Sequence, residues 1–245
     1  MSKLIDPLID KIGEERIGRI SWVMAWFALV AGQLHALARH NTVDGKEDLE
    51  LPLTAAWSDP ARKALAPLLQ WGTPDQVYLT YGKIWLPVFV TFTLCAFVVR
   101  RHRSPYGLEK WAWRIVLVGY VWGCLGVFAD YWLQWGTTAQ EPMLTIAFVA
   151  GLPAVLLMMV GSSVLGIALL RRGFRPRLSA WLLTMTLPGL FAITMVTSMG
   201  SITLPIAFAF GLAGRCLDAV GDDRVEHVDG LAPGVGAHLH PEQQV

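Results

Sequence analysis

The run 178–214 contains no Lys, Arg, Asp or Glu, and few folds can accommodate it. A water-facing domain has no surface for such a run. In hydrocarbon, every backbone N–H and C=O must find its partner within the structure, which restricts the chain to helices or a closed barrel. The run is not isolated. Apolar residues make up 54% of the 245-residue chain and charged residues only 16%, against roughly 25% charge in soluble domains. Uncharged blocks of about 20 residues are long enough to cross ~30 Å of hydrocarbon as helices.

Blocks of this kind place spans at 20–38, 79–99, 115–135 and 143–170. As one helix, 178–214 would be ~55 Å long, far more than a bilayer requires. The stretch VTSMGSITLP, with Ser198, Gly200, Ser201 and Pro205, breaks it. A helical hairpin of 178–197 and 202–219 results. The expected fold is therefore all-α, a polytopic transmembrane bundle of six spans occupying 20–219.

Basic residues test that count independently, because loops facing the cytoplasm are enriched in Lys and Arg. Lys3, Lys11, Arg16 and Arg19 precede the first span. Arg100, Arg101, Arg103, Lys110 and Arg114 separate the second from the third. Arg171, Arg172, Arg175 and Arg177 separate the fourth from the fifth, and Arg215 and Arg224 lie at and beyond the end of the sixth. The connections 136–142 and 197–201 carry no Lys or Arg. The longer outer loop, 39–77, holds Arg39, Lys46, Arg62 and Lys63 against six acids. Long loops cross largely regardless of charge. Six spans with both termini cytoplasmic, in a cell (inner or plasma) membrane, satisfy this pattern. Ala36-Leu37-Ala38 resembles a signal-peptide cleavage site, but the apolar run before it exceeds the usual 7–15 residues, so the first span is expected to stay.

Three water-exposed parts remain. In 1–19, Leu4, Ile5, Leu8, Ile9 and Ile12 share one helical face opposite Lys and acids, which reads as an amphipathic helix on the cytoplasmic membrane surface. In the outer loop, SDPARKALAPLLQW predicts a helix with Ser58 or Asp59 as N-cap and Pro60 first. Leu65, Leu68, Leu69 and Trp71 supply its apolar side, and such a loop serves either as a connector or as a lid. The segment 220–245 is polar, rich in Gly and Pro, and without period; it reads as a disordered cytoplasmic tail. Its His227, His238 and His240 are too few to define a metal site.

Two charges fall deep within the spans, Lys83 and Asp130. A charge there costs ~2.5–3.5 kcal/mol even on the lenient insertion scale, so each needs a partner or a wet site. Counted along straight helices, Asp130, Lys83 and His35 all lie ~22–24 Å from the cytoplasmic ends of their spans. They share one layer in the outer third of the membrane. Gln33 and Tyr81 lie near it, and Trp85, Trp132 and Trp135 flank it at the interfacial belt. Neighbouring second and third spans make a Lys83–Asp130 ion pair the expected reason for both charges. A pocket for a small molecule or lipid headgroup is the second reading of this cluster. Acid–base catalysis is the third.

Other chemistry is thinly signalled. Spans two to six contain no histidine, and His35 and His40 lie on one segment, so a bis-histidine haem is not expected. No zinc-protease, nucleophile-elbow, Walker or dinucleotide motif is present. Cys95, Cys124 and Cys216 form no CxxC and read as buried thiols. With no basic tract interleaved with aromatics, nucleic acid is not an expected partner. Gly119-x-x-x-Gly123, Ser162-x-x-x-Gly166 and Ala207-x-x-x-Gly211 permit close helix approach, within the bundle or against a membrane-protein partner or second copy. Pro87, Pro153, Pro188 and Pro205 mark candidate kinks. The leading reading is a non-enzymatic accessory or ligand-sensing membrane subunit without cofactor. The alternatives are a small transporter or permease, and an outer-leaflet lipid enzyme using Asp130 and His35.

Overall fold

The dominant physical pattern in the folded chain is an inside-out helix surface. On the first long helix, Gly18, Ser21, Ala25, Ala28, Gly32 and His35 are buried, while Val23, Trp26, Phe27 and Val30 are exposed. Small residues thus face the protein and large apolar ones face outward, as expected where lipid replaces water and close backbone approach drives helix packing. The computed structural model describes residues 2–133, 141–196 and 199–229.

All described regular elements are helical. They run α1 (Ser2–Ile12), α2 (Glu14–Arg39), a 3-10 turn (Asp44–Glu50), α3 (Pro52–Ala64), α4 (Ala66–Leu69), α5 (Pro74–Gly82), α6 (Trp85–Arg101) and α7 (Gly107–Val127). A π segment (Phe128–Trp132) continues α7. Then come α8 (Glu141–Arg171), α9 (Arg177–Thr184), α10 (Thr186–Val196), a second 3-10 turn (Met199–Thr203) and α11 (Leu204–Asp229). Among the described residues, four helical stretches are long and apolar enough to cross a membrane: Glu14–Arg39, Pro74–Arg101, Gly107–Trp132 and Gly151–Arg171. The region expected to supply two more spans is helical but divided, and its apolar helix Ser201–Leu217 is shorter than those four.

Prolines explain the divisions. Pro87 lacks the N–H that the Lys83 carbonyl would use, and the α5/α6 break falls at Lys83–Ile84. Pro188 stands in the same relation to Thr184, one residue before the α9/α10 break at Met185. Pro205 opens α11 just after the second 3-10 turn.

The core is built on α2, α6, α7, α8 and α11, with α9 adding Ala180 and Leu183. A Cβ on Gly18 would come within 2.8 Å of the Gly214 backbone, and one on Gly211 within 2.9 Å of Trp22. Helices α2 and α11 therefore touch backbone to backbone. Gly119 and Gly123 face Leu157, Met158 and Phe89, and Gly166 faces the Thr184 backbone, so the small-residue motifs are used inside the bundle.

The parts outside the long apolar helices are arranged as follows. Helix α1 turns into α2 at Gly13, whose φ of 90° suits glycine. Its Ile9 is fully buried in the core, and Asp6 and Asp10 pair with Arg101. Ile9, with Ile5 and Ile12 partly buried, packs on the end of the bundle, while Leu8 stays exposed. In the outer loop, α3 begins at Pro52, and Pro60 lies inside it. Only Leu69 of the predicted apolar side is fully buried, against Leu37, Ala38 and Val77, while Leu68 and Trp71 are exposed. Helix α11 continues past the expected boundary at 219 to Asp229. The remainder of the expected tail, with His238 and His240, and the belt residue Trp135 lie outside the described residues.

Candidate functional site

The outer end of α2 carries the site. His35 lies beyond Gly32 on the buried face, and a Cβ on Gly32 would meet the Trp85 ring at 3.0 Å. Glycine there lets the indole lie against α2, where Trp85 Nε1 donates to His35 Nδ1 at 3.1 Å. Tyr78, on α5, stacks on the imidazole with centroids 4.7 Å apart and planes at 18°. Tyr131 meets the same ring edge-on at 5.3 Å. Its own ring occupies the space that a Cβ on Gly82 would fill. The Tyr78 and Tyr131 hydroxyls lie 3.2 Å apart. Two glycines and a π turn thus build an aromatic box around one histidine.

His35 is 1% exposed. Because Trp85 N–H takes the Nδ1 lone pair, the neutral ring carries its proton on Nε2. That Nε2 has no hydrogen-bond partner among the described residues. An unmatched buried N–H costs about 1–3 kcal/mol, and an acceptor oxygen at Nε2 would remove that cost. In this tautomer His35 offers a donor. It offers no lone pair for taking a proton or holding a metal.

Arg39, one turn beyond His35, is the cation of the site. Burial is the main influence on His35, Tyr78, Asp130 and Tyr131, and the Arg39 charge is a lesser one on each. Arg39 also donates to Asp48 at 2.8 Å and so ties the outer loop down. Tyr81 holds a second point of that loop through a 2.9 Å bond to the Leu68 carbonyl. His40 Nδ1 and Ser58 Oγ, 2.8 Å apart, fix α3. The loop is a cap fastened over the α2 and α5 ends.

The expected Lys83–Asp130 ion pair does not form among the described residues. The expectation assumed two straight α-helices, and both are interrupted at this layer. The Pro87-induced break re-aims Lys83, and the π segment re-aims 130–132, with Leu133 N–H reaching back to the Phe128 carbonyl at 3.3 Å. Trp132 Nε1 instead donates to the Lys83 carbonyl at 3.2 Å, which also accepts from Leu86 N–H at 3.4 Å in place of the bond that Pro87 cannot make. The Lys83 ammonium lies 5.9 Å from the Trp132 ring centroid. Asp130 is half-buried and makes no ion pair among the described residues; burial is the main influence on it, with the Arg39 charge a lesser one. Gln33, half-buried on α2, adds no hydrogen bond to the others among the described residues.

Sequence reasoning missed Arg39, Tyr78 and Tyr131. Thr73-Pro74 carried a signal for part of this: Thr73 Oγ1 caps α5 by accepting from Gln76 N–H, with Pro74 in the first position. That cap starts the helix early enough to include Tyr78.

The charge buried most completely lies at the other end. Glu109, with its side chain 0% exposed, accepts from Arg103 Nε and Nη2 at 3.2 and 3.3 Å. It also accepts from Trp113 Nε1 at 3.2 Å and from Arg172. Arg172 stacks on Tyr106 at 3.4 Å, and Arg103 covers Phe174. This clamp joins the α6–α7 and α8–α9 connections. Comparison with known proteins finds no matching family model, no similar characterised protein and no similar solved structure.

Proposed function

We propose that this chain is a ligand-sensing accessory subunit of a cell membrane, crossing it six times with both termini cytoplasmic. The observation that carries the sensing role is the buried Nε2–H of His35, held without an acceptor in a box of Tyr78, Tyr131 and Trp85. The ligand supplies the missing oxygen and lies under the capped outer loop, with Arg39 and Asp130 beside it. Native mass spectrometry of the protein in a mild detergent tests this. The expected result is a discrete small-molecule adduct that His35→Phe abolishes and Lys83→Met retains. A wild-type protein without any adduct, or an adduct that survives His35→Phe, would sink the sensing reading. A stoichiometric second chain in the same spectrum would identify the partner.

The orientation draws support from the grouping of Arg101, Arg103 and Arg172 at the end that also carries α1. A transporter reading has one observation of its own. Breaks at Lys83–Ile84, Phe128–Trp132 and Met199–Thr203 interrupt three helices, as in carriers whose sites form where helices unwind. It requires access from both sides. Tyr78→Cys, in a background without the three native cysteines, would then react with an impermeant thiol reagent from either face. Reaction from one face only would reject transport.

A further inference from the structure

A cavity of about 540 Å³ lies between the α8–α9 connection and α11, lined by Arg175, Pro176, Arg177, Ala213, Cys216 and Leu217. Its walls are divided by chemistry: two guanidinium-bearing side chains on one side, apolar atoms and a thiol on the other. The local chain explains the arrangement. After α8 ends at Arg171, Gly173 turns the backbone with φ 65° and Phe174 tucks in at 8% exposed. Arg172 is drawn to Glu109, while Arg175 and Arg177 stay exposed.

Every neighbouring arginine of the clamps at this end is satisfied. Arg101 faces Asp6, Asp10 and Glu14, and Arg103 and Arg172 face Glu109. Arg175 and Arg177 have no carboxylate among the described side chains. The first turn of α9 beside them has no side-chain cap, so its backbone N–H groups add positive potential. The rest of α9 presents an apolar, exposed line: Leu178 is 59% exposed, Trp181 51%, and Met185 at its end 43%. The cavity sits where the stretch Gly151–Arg171 ends, at the edge of the membrane.

We propose that this cavity holds the headgroup of an anionic phospholipid from the adjoining leaflet, its phosphate between Arg175 and Arg177 and its acyl chains along Leu178, Trp181 and Met185. A free phosphate would use the arginines but not the apolar line. Basic pockets between helices at such a face suit this chemistry.

The test uses the full chain in detergent with phosphatidylglycerol and phosphatidylcholine of identical chains. Native mass spectrometry should show tighter binding of phosphatidylglycerol. Arg175→Ala with Arg177→Ala should reduce that preference about tenfold or more, the scale set by two basic side chains near an anionic surface. Replacement of both by Lys should largely keep it. Cys216 gives a readout that needs no variant. Phosphatidylglycerol should slow alkylation of Cys216, followed by peptide mass, while phosphatidylcholine should not. Equal binding of the two lipids, a preference that survives the double Ala variant, or unchanged Cys216 alkylation would each overturn the proposal. So would equal protection by inorganic phosphate at the same concentration.

Discussion

Two buried ionisable side chains at opposite ends of the bundle, Glu109 and His35, are matched in opposite ways. At the Glu109 end, one fully buried carboxylate receives four charge-assisted or indole hydrogen bonds from Arg103, Arg172 and Trp113. At the His35 end, an equally buried imidazole has one nitrogen matched by Trp85 and the other bare. A fully satisfied network rigidifies; a partly satisfied one carries a standing penalty. The difference separates a fastening from the candidate site, and it does so without reference to any motif.

The heaviest loss implied by this contrast is at Glu109. Glu109→Ala strands Arg103, Arg172 and the Trp113 N–H together. Breaking a buried ionic cluster by removing one partner costs about 3–5 kcal/mol, with the low end applying because water reaches the arginines, which are 25% and 22% exposed. His35→Phe should cost only about 1 kcal/mol, since it removes an unmatched N–H while leaving Trp85 without its acceptor. Thermal unfolding of both variants in one detergent compares them. Equal losses would mean that His35 is as structural as Glu109, and the contrast would fail.

A more modest change probes the outer end. Trp132→Phe leaves the Lys83 carbonyl without its indole donor, for a loss of about 1 kcal/mol. Pro87→Ala supplies a backbone N–H to that same carbonyl. In the Pro87→Ala background, Trp132→Phe should therefore cost measurably less, and a double-mutant cycle should show coupling. Additive losses would mean that the proline break and the indole bond are unrelated.

These residues also show where the sequence is legible. The helical, membrane-spanning character comes from apolar length, a requirement that hydrocarbon imposes on any chain. The layer of His35, Lys83 and Asp130 comes from counting along helices. Which side chains face each other within that layer cannot be counted, because counting assumes continuous α-helix. Pro87 and the π segment at Phe128–Trp132 each change the direction of the side chains beyond them. Pro87 is visible in the sequence as a break, whereas the π turn leaves no comparable signal. Tyr131 could be placed in the box only through Gly82, whose missing Cβ matters because of a ring from a distant helix. Glu109 escaped for a related reason: it precedes the apolar part of α7, and its burial depends on arginines brought in from two loops.

The slightest change of all decides which cation belongs to the outer site. If Asp130 depended on Lys83, Lys83→Met would leave a carboxylate stranded, and Lys83→Met with Asp130→Leu would restore the lost stability. The geometry argues otherwise. The Lys83 ammonium lies 5.9 Å from the Trp132 ring centroid, and no Lys83–Asp130 ion pair forms among the described residues; the nearby charge that bears on Asp130, more weakly than burial does, is that of Arg39. What Lys83 gives to the fold is its backbone carbonyl, which methionine also provides. Lys83→Met should therefore change stability by no more than about 0.5 kcal/mol, the range of substitutions away from buried partners. The double variant should show no rescue, because there is no loss to rescue. A loss in Lys83→Met of about 2 kcal/mol or more, the scale of an unpaired buried charge, recovered in the double variant, would return Lys83 to the site and remove Arg39 as its cation.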